Sequence, residues 1–442
     1  MSTTAPCFLT AAQAAARIKA GTLTSEALIR SCLERIGARD PAVKAWLHVD
    51  PDLAIRQARE LDKRPPAGPL HGIPFGVKDI MDTADMPTTY NSQEWQDHRP
   101  TRDAACVNIV RQAGAVILGK TDTVEFAFNS RKAASRNPYN LAHTPGGSSS
   151  GSGAAVGDYQ VQCAFGTQTA GSHIRPASFN GIYAIKPSWG TVSREGVHMI
   201  SAILDTVGWY GRSVDDLILG AQAFRLPGME SLAARGVKGL KIGYCETPYW
   251  SRAETGARKA MAVAVERLQR AGVIVEEIAL PAHFADIAEA HTMIMFGDGR
   301  VALYDEYLRQ GGRLHPELKL TVENGRGVTP ETLVAAYDLA DTCRMEFDAI
   351  AAGYDAVLAP AATGEAPKGL HTVGDWIFNG LWTLLHTPCV AIPSVLGDIG
   401  LPVGVQLVGG RLSDARLLAV AQSLQPVLDD FADTRATLLA AA

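Results

Sequence analysis

Three side chains in this sequence could together form an activated serine nucleophile: Lys78, Ser148 and Ser172. Ser148 lies in Thr144-Pro-Gly-Gly-Ser-Ser-Ser-Gly-Ser-Gly153, and Ser172 in Gly166-Thr-Gln-Thr-Ala-Gly-Ser-His-Ile-Arg-Pro176. Small residues ahead of a serine let consecutive backbone N–H groups converge on one point, as a developing oxyanion requires. Serine is a weak nucleophile until a base takes its proton. The 11 histidines offer no distinctive context for a Ser-His-Asp set, and G-x-S-x-G is absent around Ser172. Lysine is the remaining base. Lys78 follows the apolar run Gly72-Ile-Pro-Phe-Gly-Val77, and burial there disfavours its ammonium form. Taken singly, each piece also has a plain reading: a linker, a tight turn, and a salt bridge between Lys78 and Asp79.

The elements that position these residues alternate between helix and strand. The first ~65 residues read as helical, with Ser25–Arg39 one segment and Asp50-Pro51 opening another over Leu53–Arg64. Gly72–Val77 reads as a strand, Asp103–Ala113 as a helix stopped by Gly114, and Ala115–Leu118 as a buried strand. Val161–Phe165, Val273–Ile278, Ala356–Ala359, Cys389–Ile392 and Val403–Val408 are further strands. Ala257–Ala271 has helical spacing and ends at Gly272. This alternation predicts an α/β fold. The chain is read as one domain, 1–442. Within it, 66–215 forms the core with the candidate residues, about 226–353 a helical cap-like region, and 354–442 the last strands and a helix.

One motif match is rejected on physical grounds. Gly114-Ala-Val-Ile-Leu-Gly-Lys-Thr121 fits G-x-x-x-x-G-K-[ST], yet its middle residues are strand formers with no reason to cradle phosphate. Gly151, Gly153 and Gly157 likewise miss the dinucleotide-binding spacing.

Composition narrows the partners. The net charge of −5 gives no basic surplus for nucleic acid or an anionic membrane, so a small uncharged or mixed molecule is the default partner. Self-association is left open. The seven cysteines show no C-x-x-C spacing and read as buried reduced thiols. Neither a signal peptide nor a run of about 18 apolar residues is visible, so the expectation is a cytoplasmic protein.

Together, Gly72-Ile-Pro-Phe-Gly-Val-Lys-Asp79, Pro145-Gly-Gly-Ser-Ser-Ser-Gly-Ser152 and Gly166–Gly181 around Ser172 resemble the amidase signature family. The resemblance extends through Ala184-Ile-Lys-Pro-Ser188, Asp205-Thr-Val-Gly208 and Gly400–Gly409, and is weakest between about 226 and 353. It implies a central mixed β-sheet flanked by helices on both faces. It also implies a triad: Ser172 as nucleophile, Ser148 as proton relay after a cis peptide bond, and Lys78 as base. The backbone N–H groups of Thr169, Ala170, Gly171 and Ser172 would form the oxyanion hole. No metal and no organic cofactor is implied. The activity implied is hydrolysis of a carboxamide, carbamate or urea derivative through an acyl-enzyme. The alternative is one component of a glutamine-using amidotransferase, working with a partner protein.

Three departures weaken the transfer of a substrate. Gln168-Thr-Ala-Gly-Ser172 replaces the family's common Asp-x-Gly-Gly-Ser, Arg175 stands three rather than two residues after the serine, and Ser150 replaces a glycine. They fit the amidotransferase alternative poorly. Trp376, Phe378 and Trp382 are candidates for an apolar pocket, with core packing as the competing reading.

Overall fold

A computed structural model describes residues 5–128, 130–233 and 235–429. Eleven strands among them form one sheet: β1 (Trp46–Val49), β2 (Pro74–Lys78), β3 (Val116–Thr121), β4 (Cys163–Gln168), β5 (Tyr183–Lys186), β6 (Thr206–Gly211), β7 (Lys241–Tyr244), β8 (Ile274–Glu277), β9 (Ala356–Pro360), β10 (Cys389–Leu396) and β11 (Pro402–Val408). Their spatial order is β1-β3-β2-β4-β6-β5-β10-β11-β9-β7-β8. The pairs β2–β3, β2–β4, β7–β8 and β7–β9 are parallel and the rest antiparallel, so the sheet is mixed. Every residue of β2 to β6 is buried, which requires cover on both faces, and helices supply it.

β3, β2 and β4 lie side by side and parallel, so their carboxyl ends open on one edge of the sheet. That edge receives Thr121-Asp122, Lys78 and the segment after Gln168. Crevices at such carboxyl ends are where open α/β sheets bind ligands.

Two local expectations change. The glycine–serine stretch is largely a helix, Ser150–Gly157, with every residue buried. Its small residues let it lie directly on the sheet; a Cβ at Gly151 would stand 2.1 Å from the Ala45 carbonyl oxygen. The amino-terminal region is also not wholly helical, because Trp46–Val49 pairs antiparallel with β3 as an edge strand. Four residues between two helices leave too short a pattern to read.

Gly114–Thr121 runs from a turn into β3, with Lys120 fully buried. Its Nζ lies 3.2 Å from Asp79 Oδ1 and donates to the Met81 carbonyl (2.7 Å) and Thr88 Oγ1 (2.6 Å). The ion pair anticipated between Lys78 and Asp79 is instead made by Lys120. That leaves Lys78 for other partners.

Residues 226–353 divide in two. The first half adds β7, the helix Thr255–Arg270 and β8 to the sheet. The second is helical, with Ile287–Ala302 packed on Pro330–Ala351 and on the helix Ile377–Leu384. The last part of the chain supplies β9 to β11 and the helix Asp414–Leu428; residues 430–442 lie outside the described residues. All seven cysteines are buried and free. Among the described residues, no helix is long and apolar enough to cross a membrane.

Candidate active site

Lys78 ends β2 with no exposed surface, and its Nζ lies 2.7 Å from both Ser148 Oγ and Thr167 Oγ1. Burial pulls its pKa down to about 7, with the negative charge of Asp205 acting in the opposite direction. A neutral amine in this position can donate to Thr167 and accept the Ser148 proton. The Gly147–Ser148 peptide bond is cis. Gly147 has no room for a side chain, since a Cβ would stand 2.6 Å from Val373 Cγ1.

The neighbouring serines fix this turn. Ser149 N donates to the Ser172 carbonyl (3.3 Å), and Ser149 Oγ accepts from Thr167 N (3.1 Å). Ser152 Oγ shares a hydrogen bond with Thr121 Oγ1 (2.6 Å). The serine run thereby ties together the ends of β3 and β4.

The carbonyl groups of Thr169, Ala170, Gly171 and Ser172 are each engaged. They accept from His291 Nε2 (2.8 Å), Thr383 Oγ1 (2.9 Å), Arg175 N (3.2 Å) and Ser149 N (3.3 Å). A carbonyl only accepts, so His291 carries its proton on Nε2. Burial holds its pKa down at about 4, which keeps it neutral. Gln168 caps the turn beyond Ser172, its Oε1 accepting from His173 N (3.1 Å) and Ile174 N (2.9 Å). That is an acceptor's task which an amide performs without charge. His173 points away from Ser172, with Nε2 between the carbonyls of Ile185 and Trp209.

Ser148 and Ser172 line a cavity of about 430 Å³, together with Thr169, Ala170, Arg175, Ile200, Phe296 and Trp376. Of the three aromatic candidates, only Trp376 reaches it. Phe378 is fully buried against Ala253 and Ala257, and Trp382 packs on Phe347 at a ring separation of 5.1 Å. The helix Ile377–Leu384 turns both into the core. A larger groove of about 810 Å³, bounded by Pro227, Lys238 and Arg416, contains none of the candidate residues.

Several residues of this site were not singled out by sequence reasoning. His291, Thr292, Met295 and Phe296 come from the helix Ile287–Ala302, more than a hundred positions from Ser172, and only the fold brings them there. Asp205 lies in a motif that supported the resemblance, but nothing in the sequence gave it a role. It accepts from Ile200 N (2.6 Å) and Ser201 N (3.2 Å).

With this geometry in place, comparison with known proteins decides the family. The family model described as Amidase matches residues 27–418. The chain belongs to the amidase signature family. A glutamyl-tRNA(Gln) amidotransferase component from Roseiflexus castenholzii is 33% identical, covering 95% of this chain and 96% of the relative. Among solved structures, a protein from a vestigial complex linked to the origins of an s-triazine catabolic enzyme superposes with a TM-score of 0.87. It is 25% identical and covers 95% of this chain and 99% of its own. The native peptide amidase of Stenotrophomonas maltophilia superposes with a TM-score of 0.78 at 29% identity, covering 95% and 96%. The amidase fold, a mixed sheet flanked by helices, is therefore established for this chain.

Proposed function

We propose that this protein hydrolyses the C–N bond of a small carboxamide, carbamate or urea derivative through Ser172, Ser148 and Lys78. The observation that carries this reading is the buried Lys78 Nζ, 2.7 Å from Ser148 Oγ and drawn down to about 7. Ser172 Oγ attacks the carbonyl carbon while its proton passes to Ser148, whose own proton moves to Lys78. The N–H groups of Thr169, Ala170, Gly171 and Ser172 receive the developing oxyanion, a segment whose carbonyls are already engaged elsewhere. Collapse breaks the C–N bond, and the leaving nitrogen takes the proton back from Lys78 through Ser148. Water then cleaves the acyl-serine by the same relay.

A second reading is supported by the amidotransferase relatives: a chain that releases ammonia from glutamine for a partner protein. One experiment separates the two. The purified chain alone is offered aliphatic and aryl amides, carbamates, ureas and glutamine, with Ser172→Ala in parallel. Turnover of one non-glutamine class, lost by about a thousandfold or more in Ser172→Ala, is expected. Activity confined to glutamine and dependent on a partner would replace the hydrolase reading with the second.

A further inference from the structure

Arg175 is only 3% exposed, and it lines the cavity that holds Ser148 and Ser172. Its Nη2 donates to the Gly147 carbonyl (2.6 Å), but Nε and Nη1 find no acceptor among the described residues. A Cβ on Gly171 would stand 3.2 Å from Nη1, so this unused donor lies beside the residue preceding Ser172. Burial lowers the Arg175 pKa to about 10, and the acid acting on it, Asp375, is itself bonded to Arg252 at 2.6 Å. A guanidinium stripped of water with two unused donors is costly, and an anion such as a carboxylate, accepting from the Nη1 donor beside Gly171, would offset that cost.

The rest of the cavity agrees in sign. Lys132 and Arg326 also line it, and no Asp or Glu does so among the described residues. Burial holds the Lys132 ammonium below its ordinary range, and the positive charge of Arg175 adds to that, with Glu317 opposing. Arg326 is fixed at the rim, its guanidinium 4.8 Å over the Phe296 ring. An anion bound among these groups would relieve the repulsion between Arg175 and Lys132.

The geometry points to a substrate that carries a carboxylate, received by Arg175, on the same small molecule as the scissile carbonyl. This rests on the hydrolase reading and narrows it: Arg175 and Ser172 share one cavity of about 430 Å³, so the two groups belong to a short compound. Trp376, Phe296 and Ile200 line the same cavity, so the rest of the compound meets apolar surface beside the carboxylate.

The test uses matched pairs in which methyl replaces carboxylate: succinamate against butyramide, and the homologues with one methylene more and one fewer. The acid of at least one pair is expected to exceed its methyl partner in kcat/KM by about tenfold or more, and Arg175→Gln to bring that ratio near unity. Equal turnover within every pair overturns the proposal, as does a proportional loss on both members in Arg175→Gln, which would make Arg175 only a tether for Gly147. If neither member of any pair is turned over, simple carboxamides are not the substrate, and the hydrolase reading passes to the carbamates and ureas. Calorimetric titration of succinate into the wild-type protein then decides the anion site. Saturable binding weakened about tenfold in Arg326→Gln supports it, and no binding overturns it.

Discussion

Thr169 Oγ1 donates a 2.6 Å hydrogen bond to Asp205 Oδ1, and the same buried carboxylate is the charge that opposes the fall in the Lys78 pKa. One acid therefore touches both halves of the site. It anchors Thr169, the first residue of the proposed oxyanion segment, and its charge favours the protonated form of Lys78.

Asp205→Asn separates these effects. An amide oxygen still accepts from Thr169, while the negative charge facing Lys78 is removed. The acidic limb of the kcat/KM profile is expected to move to lower pH, with the plateau changed by less than about tenfold. A limb that stays in place would mean that Asp205 does not act on Lys78.

Under the proposed mechanism, Lys78 is expected to set the limb in the wild-type protein. Activity is expected to fall about tenfold per unit below pH 7, reaching roughly a hundredfold loss at pH 5. Stability carries the same signature with a definite sign. Between about 7 and the ordinary lysine value of 10.5, the unfolded chain binds a proton that the folded chain lacks. The contribution of Lys78 to stability therefore rises with pH across that window and is least below it. Lys78→Met removes the titration: the variant should be inactive, with a flatter dependence of urea midpoint on pH from 7 to 10.5.

His291→Phe keeps a ring against Trp376, whose centroid lies 4.6 Å from the imidazole, but loses the donor to the Thr169 carbonyl. We expect kcat to drop about tenfold with KM within about threefold, because the bond orients donors that act in the transition state. A rise in KM with kcat unchanged would assign His291 to substrate contact instead.

Trp376→Ala and Trp382→Ala should part company. Trp382 is fully buried, so its truncation is expected to cost about 3–5 kcal/mol in urea unfolding and to leave KM little altered in protein that folds. Trp376 lines the cavity, so its loss should raise KM about tenfold at near-normal stability. The opposite pattern would relocate the pocket.

What the sequence disclosed and what it withheld follow from the range of the interactions. Ser148 and Ser172 sit in runs of glycine and small residues and Lys78 closes an apolar run; each window alone also had a plain reading, and only the three motifs together, through their resemblance to one family, drew them into one set. The alternation of helices and apolar runs carried the α/β class. For Phe378 and Trp382 pocket and core stayed open, because an aromatic ring on a helix serves either equally well, and only the rotation of Ile377–Leu384 decides between them. Arg175 was visible as a displaced arginine, but its unused donors are a property of its burial. His291 and Asp205 act across distances in the chain that no local pattern spans.

The contact between His291 and Thr169 ties two kinds of change together. The helix Ile287–Ala302 gives the cavity Thr292, Met295 and Phe296 and also holds the segment from Thr169 to Ser172, the proposed oxyanion donors, through His291. Chimaeras that exchange this helix between relatives to alter which compounds are accepted will therefore alter turnover as well. Retuning such an enzyme calls for substitutions that leave the register of residue 291 untouched.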